Sequence, residues 1–295
     1  MLFVLMLFGA LARKLKFLDV EAVKTLTAIV VNFTTPCIII HSFQCPFDSA
    51  RMPGLGWSVV MAAIWYSLGI VFSLIRFSGR DDANRALKWS VLFSNCGFMG
   101  LPLEYALFGA DGVFYCVVPI AFFNLIAWTY GVTIFRPLNG RRDLITGVLN
   151  PANVSAIVAL VLFLLPWRLP KVVDEPLRLV GEMNTVLPMF ILGYYLVGAK
   201  FAEVFRRGGC YVMLALRHFA VPLLLTGALM LLPMIPAELK LIAIVPASAP
   251  VGVLLTVFAI KYGGDAEFST AVVSASTLLS IITIPIVVAI AKALV

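Results

Sequence analysis

The chain has 295 residues, of which 62% are hydrophobic and only 13% charged, and its net charge is +7. A soluble domain is about 45–50% apolar and about 25% charged, so the solvent for most of this chain must be lipid. That excludes a soluble enzyme, a nucleic-acid-binding module and a disordered protein. Once roughly ten spans of about 20 residues are laid out, no room remains for an extramembrane catalytic domain.

The first apolar run, Met1–Ala12, is followed by Arg13, Lys14 and Lys16. A secretory signal carries its positive charges before the apolar stretch and a small-residue cleavage site after it, so this run reads as a retained first helix. At 1.5 Å per residue it covers only about 18 Å. It either continues through Leu18 or the true start lies upstream. Spans 2 to 5 are expected at about 20–44, 56–77, 84–108 and 112–135. Spans 6 to 10 are expected at about 144–166, 175–199, 209–233, 237–260 and 267–293.

Basic residues set the orientation. The loops after the odd-numbered spans carry 15 of them, among them Arg13, Lys14, Arg76, Arg80, Arg136, Arg141, Arg142, Lys200 and Lys261, against 6 on the other face. The odd loops are therefore cytoplasmic and both termini face outside. The basic charge serves topology and implies no polyanionic partner. Cys37, Cys45, Cys96, Cys116 and Cys210 are scattered, without a C-x-x-C pair, and read as small hydrophobes.

The chain matches itself at about half its length. Lys16-Phe-Leu-Asp19 recurs as Lys171-Val-Val-Asp174, Asn32-Phe-Thr-Thr-Pro36 as Asn184-Thr-Val-Leu-Pro188, and Phe108-Gly-Ala-Asp111 as Tyr262-Gly-Gly-Asp265. Three matches in one order at nearly one offset divide the chain into residues 1–140 and 141–295, five spans each. Five is odd, so the second half enters the membrane inverted, which is a transporter architecture. Span 4 contains Ser94-Asn95-Cys-Gly97-Phe-Met-Gly100-Leu-Pro102, and span 9 contains Pro246-Ala-Ser248-Ala-Pro250-Val-Gly252. These two interruptions fall at equivalent depth. Unwound backbone survives in a bilayer only when buried or lining a cavity, so the chain is expected to be non-helical near Asn95–Gly97 and Pro246–Pro250, with the two stretches together.

Asn95-Cys-Gly-Phe-Met-Gly-Leu-Pro102 and Ala249-Pro-Val-Gly-Val-Leu-Leu-Thr-Val-Phe-Ala-Ile-Lys-Tyr-Gly-Gly-Asp265 resemble the fourth and ninth helices of the auxin efflux carrier family. Asn32-x-x-x-Pro36 with His41-Ser-Phe43, and Asn150-Pro-Ala-Asn153, are similar to its second and sixth. The resemblance covers essentially the whole chain. It implies an all-α integral membrane protein of ten helices in two inverted repeats, crossing at broken helices 4 and 9, an architecture like that of bile acid symporters. It also implies a scaffold domain, a crossover domain and secondary transport of organic anions. Plant members carry a long hydrophilic central loop. Here the connection Arg136–Asp143 is only a few residues, which looks like a prokaryotic member and implies malate- or malonate-like substrates in a cell inner membrane.

The resemblance gives Asn95 the role of meeting a substrate carboxylate. Ser94, Gly97, Asn32, Ser248, Pro250 and Gly252 are the further substrate-site candidates, and Gly100, Pro102 and Pro246 the helix breakers. Asn184 is read as an interhelical hydrogen bond. Among ionisable groups, His41 is read as an interfacial histidine and Glu182 lies about two turns into span 7. Glu104 is close enough to the outer end for solvation and is the candidate for proton coupling. Arg217, beside His218, is expected to snorkel to the cytoplasmic face. The expected partners are a small organic anion, the bilayer and at most a second copy of the chain, with no nucleic acid, cofactor or metal. No G-x-x-x-x-G-K-[ST] loop is present for ATP, and no G-x-S-x-G or H-E-x-x-H for hydrolysis. Competing readings are a channel or regulatory membrane protein, a sodium-coupled symporter of the same architecture and, further off, an intramembrane lipid enzyme.

Overall fold

Lipid offers a backbone no hydrogen-bond partner but itself, so a chain this apolar folds as helices. The computed structural model describes residues 2–45, 51–77, 79, 81–137, 140, 145, 149–165 and 167–295, and every named element among them is helical. In chain order these are α1 (Leu2–Lys14), α2 (Val20–Ser42), α3 (Met52–Arg76), α4 (Asp82–Leu92), α5 (Cys96–Phe135) and α6 (Pro151–Leu164). There follow α7 (Lys171–Val197), the short α8 (Phe201–Phe205), α9 (Gly208–Met230), α10 (Ala237–Ala247), α11 (Leu254–Tyr262) and α12 (Ala266–Leu294). Six of them, α2, α3, α5, α7, α9 and α12, are long and apolar enough to cross a membrane. Arg80, Arg141, Arg142, the start of the sixth span and the border between the two halves lie outside or beside the described residues.

Two of the expected spans are each divided in the structure. Span 4 is α4 plus the start of α5, and span 9 is α10 plus α11. Span 5 is the remainder of α5, because the chain turns inside that helix at Gly109 (φ 62°, ψ −144°), a conformation that essentially only glycine adopts. The turn folds Gly112 back on Glu104, so that a Cβ added at Gly112 would lie 2.7 Å from the Glu104 carbonyl oxygen.

Polar residues at the ends begin the helices. Asp19 accepts a hydrogen bond from the Ala22 N–H (2.7 Å), Asn150 from Asn153 (3.0 Å) and Asp265 from Phe268 (2.9 Å), each a side-chain cap for an otherwise free donor. Within α2, α5 and α9 the helix widens to a π turn, at Val30–Thr34, Cys96–Gly100 and Leu216–Ala220. Each of these three turns is followed two residues on by a proline, Pro36, Pro102 and Pro222, while a fourth, Ala127–Gly131 in α5, is not. Proline has no N–H to give the carbonyl four residues back, and its ring collides with it. A wider turn moves that carbonyl aside, which explains why these prolines continue a helix rather than end it.

The helices pack through small residues, as membrane helices do. α1 lies along α7, with the backbones nearly touching. A Cβ added to Gly193 would sit 1.9 Å from the Met6 carbonyl oxygen, and one added to Gly9 would sit 2.2 Å from that of Phe190. α6 packs on the second half of α2. Between α2 and α7, Asn184 Oδ1 accepts hydrogen bonds from the Thr34 and Thr35 hydroxyls (3.0 and 2.8 Å), the interhelical role read for it from sequence. His41 Nδ1 pairs with Asp174 Oδ1 at 2.8 Å near the end of the same pair of helices, and Glu182 pairs with Arg178 within α7.

The α1–α7 contact gives a direct test. Gly193→Val places a branched side chain against backbone that cannot rotate away. Overpacking costs about 1–3 kcal/mol where neighbours can shift, and here the separation of the two helices must change. The purified variant is expected to melt well below the wild type in detergent, while Gly227→Val, at a glycine with open space around it, melts close to it.

Candidate functional site

The interruption after α4 spans Phe93–Asn95, and the one after α10 spans Ser248–Val253. Both stand slightly away from the stretches expected. Gly97 and Gly100 lie in the π turn that opens α5, with Pro102 just beyond it, and Pro246 lies in the last turn of α10. Pro246 has no N–H to give the Ile242 carbonyl, which weakens the end of α10, and Pro250 fixes φ once the chain has left the helix.

The two interruptions pair with each other. The Asn95 N–H donates to the Pro250 carbonyl (2.7 Å) and the Gly252 N–H to the Phe93 carbonyl (3.0 Å), forming an isolated antiparallel bridge. Close approach is required: a Cβ on Gly252 would lie 3.0 Å from the Ser94 carbonyl oxygen, and one on Gly100 would lie 3.1 Å from the Pro246 Cβ. Trp89, Phe93, Phe123 and Phe258 pack ring against ring around the crossing.

Below the crossing lies Arg217, and here the sequence expectation is overturned. Arg217 does not snorkel; it is fully buried in the π turn of α9. Its Nε donates to the Ala249 carbonyl (3.3 Å), Nη1 to that of Val91 (3.2 Å), and Nη2 to that of Ala247. The reason is local. The last carbonyls of a helix lack intrahelical donors, and the planar guanidinium fork serves the ends of α4 and α10 together. Beside it, His218 is also buried and is held by the Thr283 hydroxyl at Nδ1 and the Ser276 hydroxyl at Nε2 (both 2.8 Å). Ser276 Oγ in turn accepts the Val251 N–H (2.9 Å), so α12 fastens the second interruption from behind.

A cavity of about 340 Å³ adjoins the crossing. Ser94, Asn95, Gly97 and Gly252 line it, together with the opening residues of α5 and α11. Met99 and Gly100 donate back to the Asn95 carbonyl and Leu255 to that of Gly252, so the preceding N–H groups of both helices occupy first turns that face the cavity. The Asn95 side chain is 5% exposed, and its Nδ2 has no partner among the described residues. Two further amides, Asn124 and Asn150, and the threonines Thr27 and Thr35 reach the wall, which is mostly apolar and includes Phe98, Phe123 and Trp128. Asn124 was not singled out from sequence, because a lone asparagine inside an apolar run carries no spacing signal.

Three of the substrate-site candidates, and Glu104, stand apart from the cavity. Asn32 is exposed and donates to the Ala28 carbonyl of its own helix. Ser248 is buried, with its hydroxyl on the Val245 carbonyl, and Pro250 contributes only its carbonyl to the bridge. Glu104 is not solvated as expected: it is fully buried, and neither carboxylate oxygen has a partner among the described residues. The fold-back at Gly109 covers the side on which water was expected.

A family model described as "Membrane transport protein" matches residues 1–288. An uncharacterized transporter of Methanothermobacter thermautotrophicus is 23% identical over 304 residues, covering 96% of this chain and 94% of the relative. With apolar helices long enough to cross a bilayer, the chain is a multi-pass membrane transporter, and it belongs to the membrane transport protein family of auxin efflux carriers.

Proposed function

We propose that this transporter is a secondary carrier for a small organic carboxylate, which binds in the crossover cavity and crosses by alternating access. The observation that carries this is Asn95: a buried amide donor without a protein partner, at the edge of a cavity faced by two helix N-termini. An unpaired buried donor costs about 1–3 kcal/mol, and such a donor is kept where a ligand completes it. Helix N-termini add a positive dipole end suited to an anion. Among the described residues no cationic side chain lines the cavity and most of its wall is apolar. That favours one carboxylate on an apolar body over a compact dicarboxylate such as malate, whose second charge would be buried without a counter-charge.

The structure also supports ten crossings in two inverted halves. α4 with the first part of α5, and α10 with α11, each make one crossing, and α5 makes a second after Gly109. The first helix of each half packs on the second helix of the other, α1 on α7 and α6 on α2. Glu104, buried and unpartnered, is the proton-coupling residue in this reading, and both termini face outside a cell inner membrane.

Three experiments test these points. In thermal-shift titrations against aliphatic and aromatic mono- and dicarboxylates, wild-type protein is expected to be stabilised most by monocarboxylates, since a ligand stabilises by mass action. Asn95→Ala is expected to weaken the best ligand about 5- to 150-fold, and Asn95→Asp further, with little change in the melting temperature of the ligand-free protein. Unchanged affinity in a folded Asn95→Ala variant removes Asn95 from the site. In proteoliposomes, Glu104→Gln is expected to retain substrate affinity but to lose the response of transport to a pH gradient, whereas a full response to the gradient would acquit Glu104. In a cysteine-free background, Lys171→Cys is expected to be labelled from outside the cell and Gly140→Cys only from inside; the reverse pattern sinks the orientation.

A further inference from the structure

Arg217 is a full positive charge in the middle of a membrane protein, and no carboxylate pairs with it among the described residues. A charge in that position needs a counter-charge. What faces its fork is the C-terminal carbonyls of α4 and the end of α10. Each helix end carries roughly half a negative charge, so the two together match one guanidinium. The pairing has a consequence on the far side of the crossing. The continuing helices, α5 and α11, present their N-terminal ends to the cavity, each with roughly half a positive charge, and nothing in the described lining offsets them. Arg217 cancels the negative ends and leaves the positive ends standing.

We propose that Arg217 is the residue that sets the charge preference of the cavity. By neutralising the two C-terminal helix ends it makes the crossing, as seen by a ligand, equivalent to one net positive charge, which selects ligands carrying one negative charge. This rests on the carrier reading above. Arg217 touches no ligand; it acts through the two helix ends. Its place is fixed by the π turn Leu216–Ala220 and by the neighbouring His218 between Thr283 and Ser276, so the fork is held at the crossing rather than free to follow a moving helix.

The test compares a carboxylate with its uncharged carboxamide, benzoate and benzamide being the first pair, on wild type, Arg217→Met and Arg217→Lys. The readouts are affinity for each ligand and the melting temperature of the ligand-free protein. Wild type is expected to favour the acid. In Arg217→Met two uncompensated negative ends remain across the crossing from the anion. A unit charge about 10 Å away in a protein interior changes affinity by about tenfold or more, so the preference for acid over amide is expected to fall by that factor, while amide affinity changes little. Arg217→Lys keeps the charge but loses the three-armed fork, and is expected to melt lower while keeping the preference for acid. A purely structural arginine would weaken both ligands equally in Arg217→Met, and that result overturns the inference. So does a wild type that binds acid and amide alike, an outcome that stands even if Arg217→Met fails to fold. If wild type binds no carboxylate of the wider panel, the carrier reading itself has failed.

Discussion

Everything near the crossing follows from one constraint: a backbone polar group in lipid must find a partner inside the protein. Breaking a helix there frees carbonyls on one side of the break and N–H groups on the other. Two breaks placed face to face satisfy part of this through the Asn95–Pro250 and Gly252–Phe93 bonds. Arg217 satisfies three more carbonyls, those of Val91, Ala247 and Ala249. The N–H groups of the opening turns of α5 and α11 are left for the cavity. The arrangement is asymmetric: one set of ends is closed by the protein, and the other faces the cavity.

Much of this was legible in the sequence. Membrane character followed from composition, the paired interruptions from proline and glycine placed half a chain apart, and the α2–α7 link from Asn184. What was not legible depends on three-dimensional direction. Arg217 lies near enough to a helix end, in sequence, for its side chain to reach water. Only the structure shows that the side chain turns towards two carbonyl ends contributed from more than 25 residues away. Asn32 and Asn184 occupy matching places in the two halves, yet one is exposed and the other buried, because repeated sequence does not guarantee repeated environment. Glu104 was misjudged for a related reason: depth along one helix says nothing about a neighbouring segment folded over it.

Some prolines of the continuous spans sit behind π turns, while Pro119, Pro188 and Pro285 lie in helix without one. Three π turns precede a proline at the same spacing, and one of the three, in α9, is also where Arg217 and His218 are displayed. A widened turn spreads successive side chains around the helix differently from a regular one. The same backbone adjustment that makes room for Pro222 therefore directs Arg217 to the crossing and His218 towards α12.

The interlocked packing of α1 on α7 has a consequence for how the protein is made. α1 leaves the ribosome well before α7, but the surface that fits its Gly9 is on α7, about 180 residues later. At roughly 5–20 residues per second, α1 waits in the bilayer for roughly 10–40 s before its partner has been synthesised. During that interval its glycine face must be covered by something other than α7. α1 cannot reach its final packing before α7 has been made, so the order of synthesis makes an early helix depend on a late one.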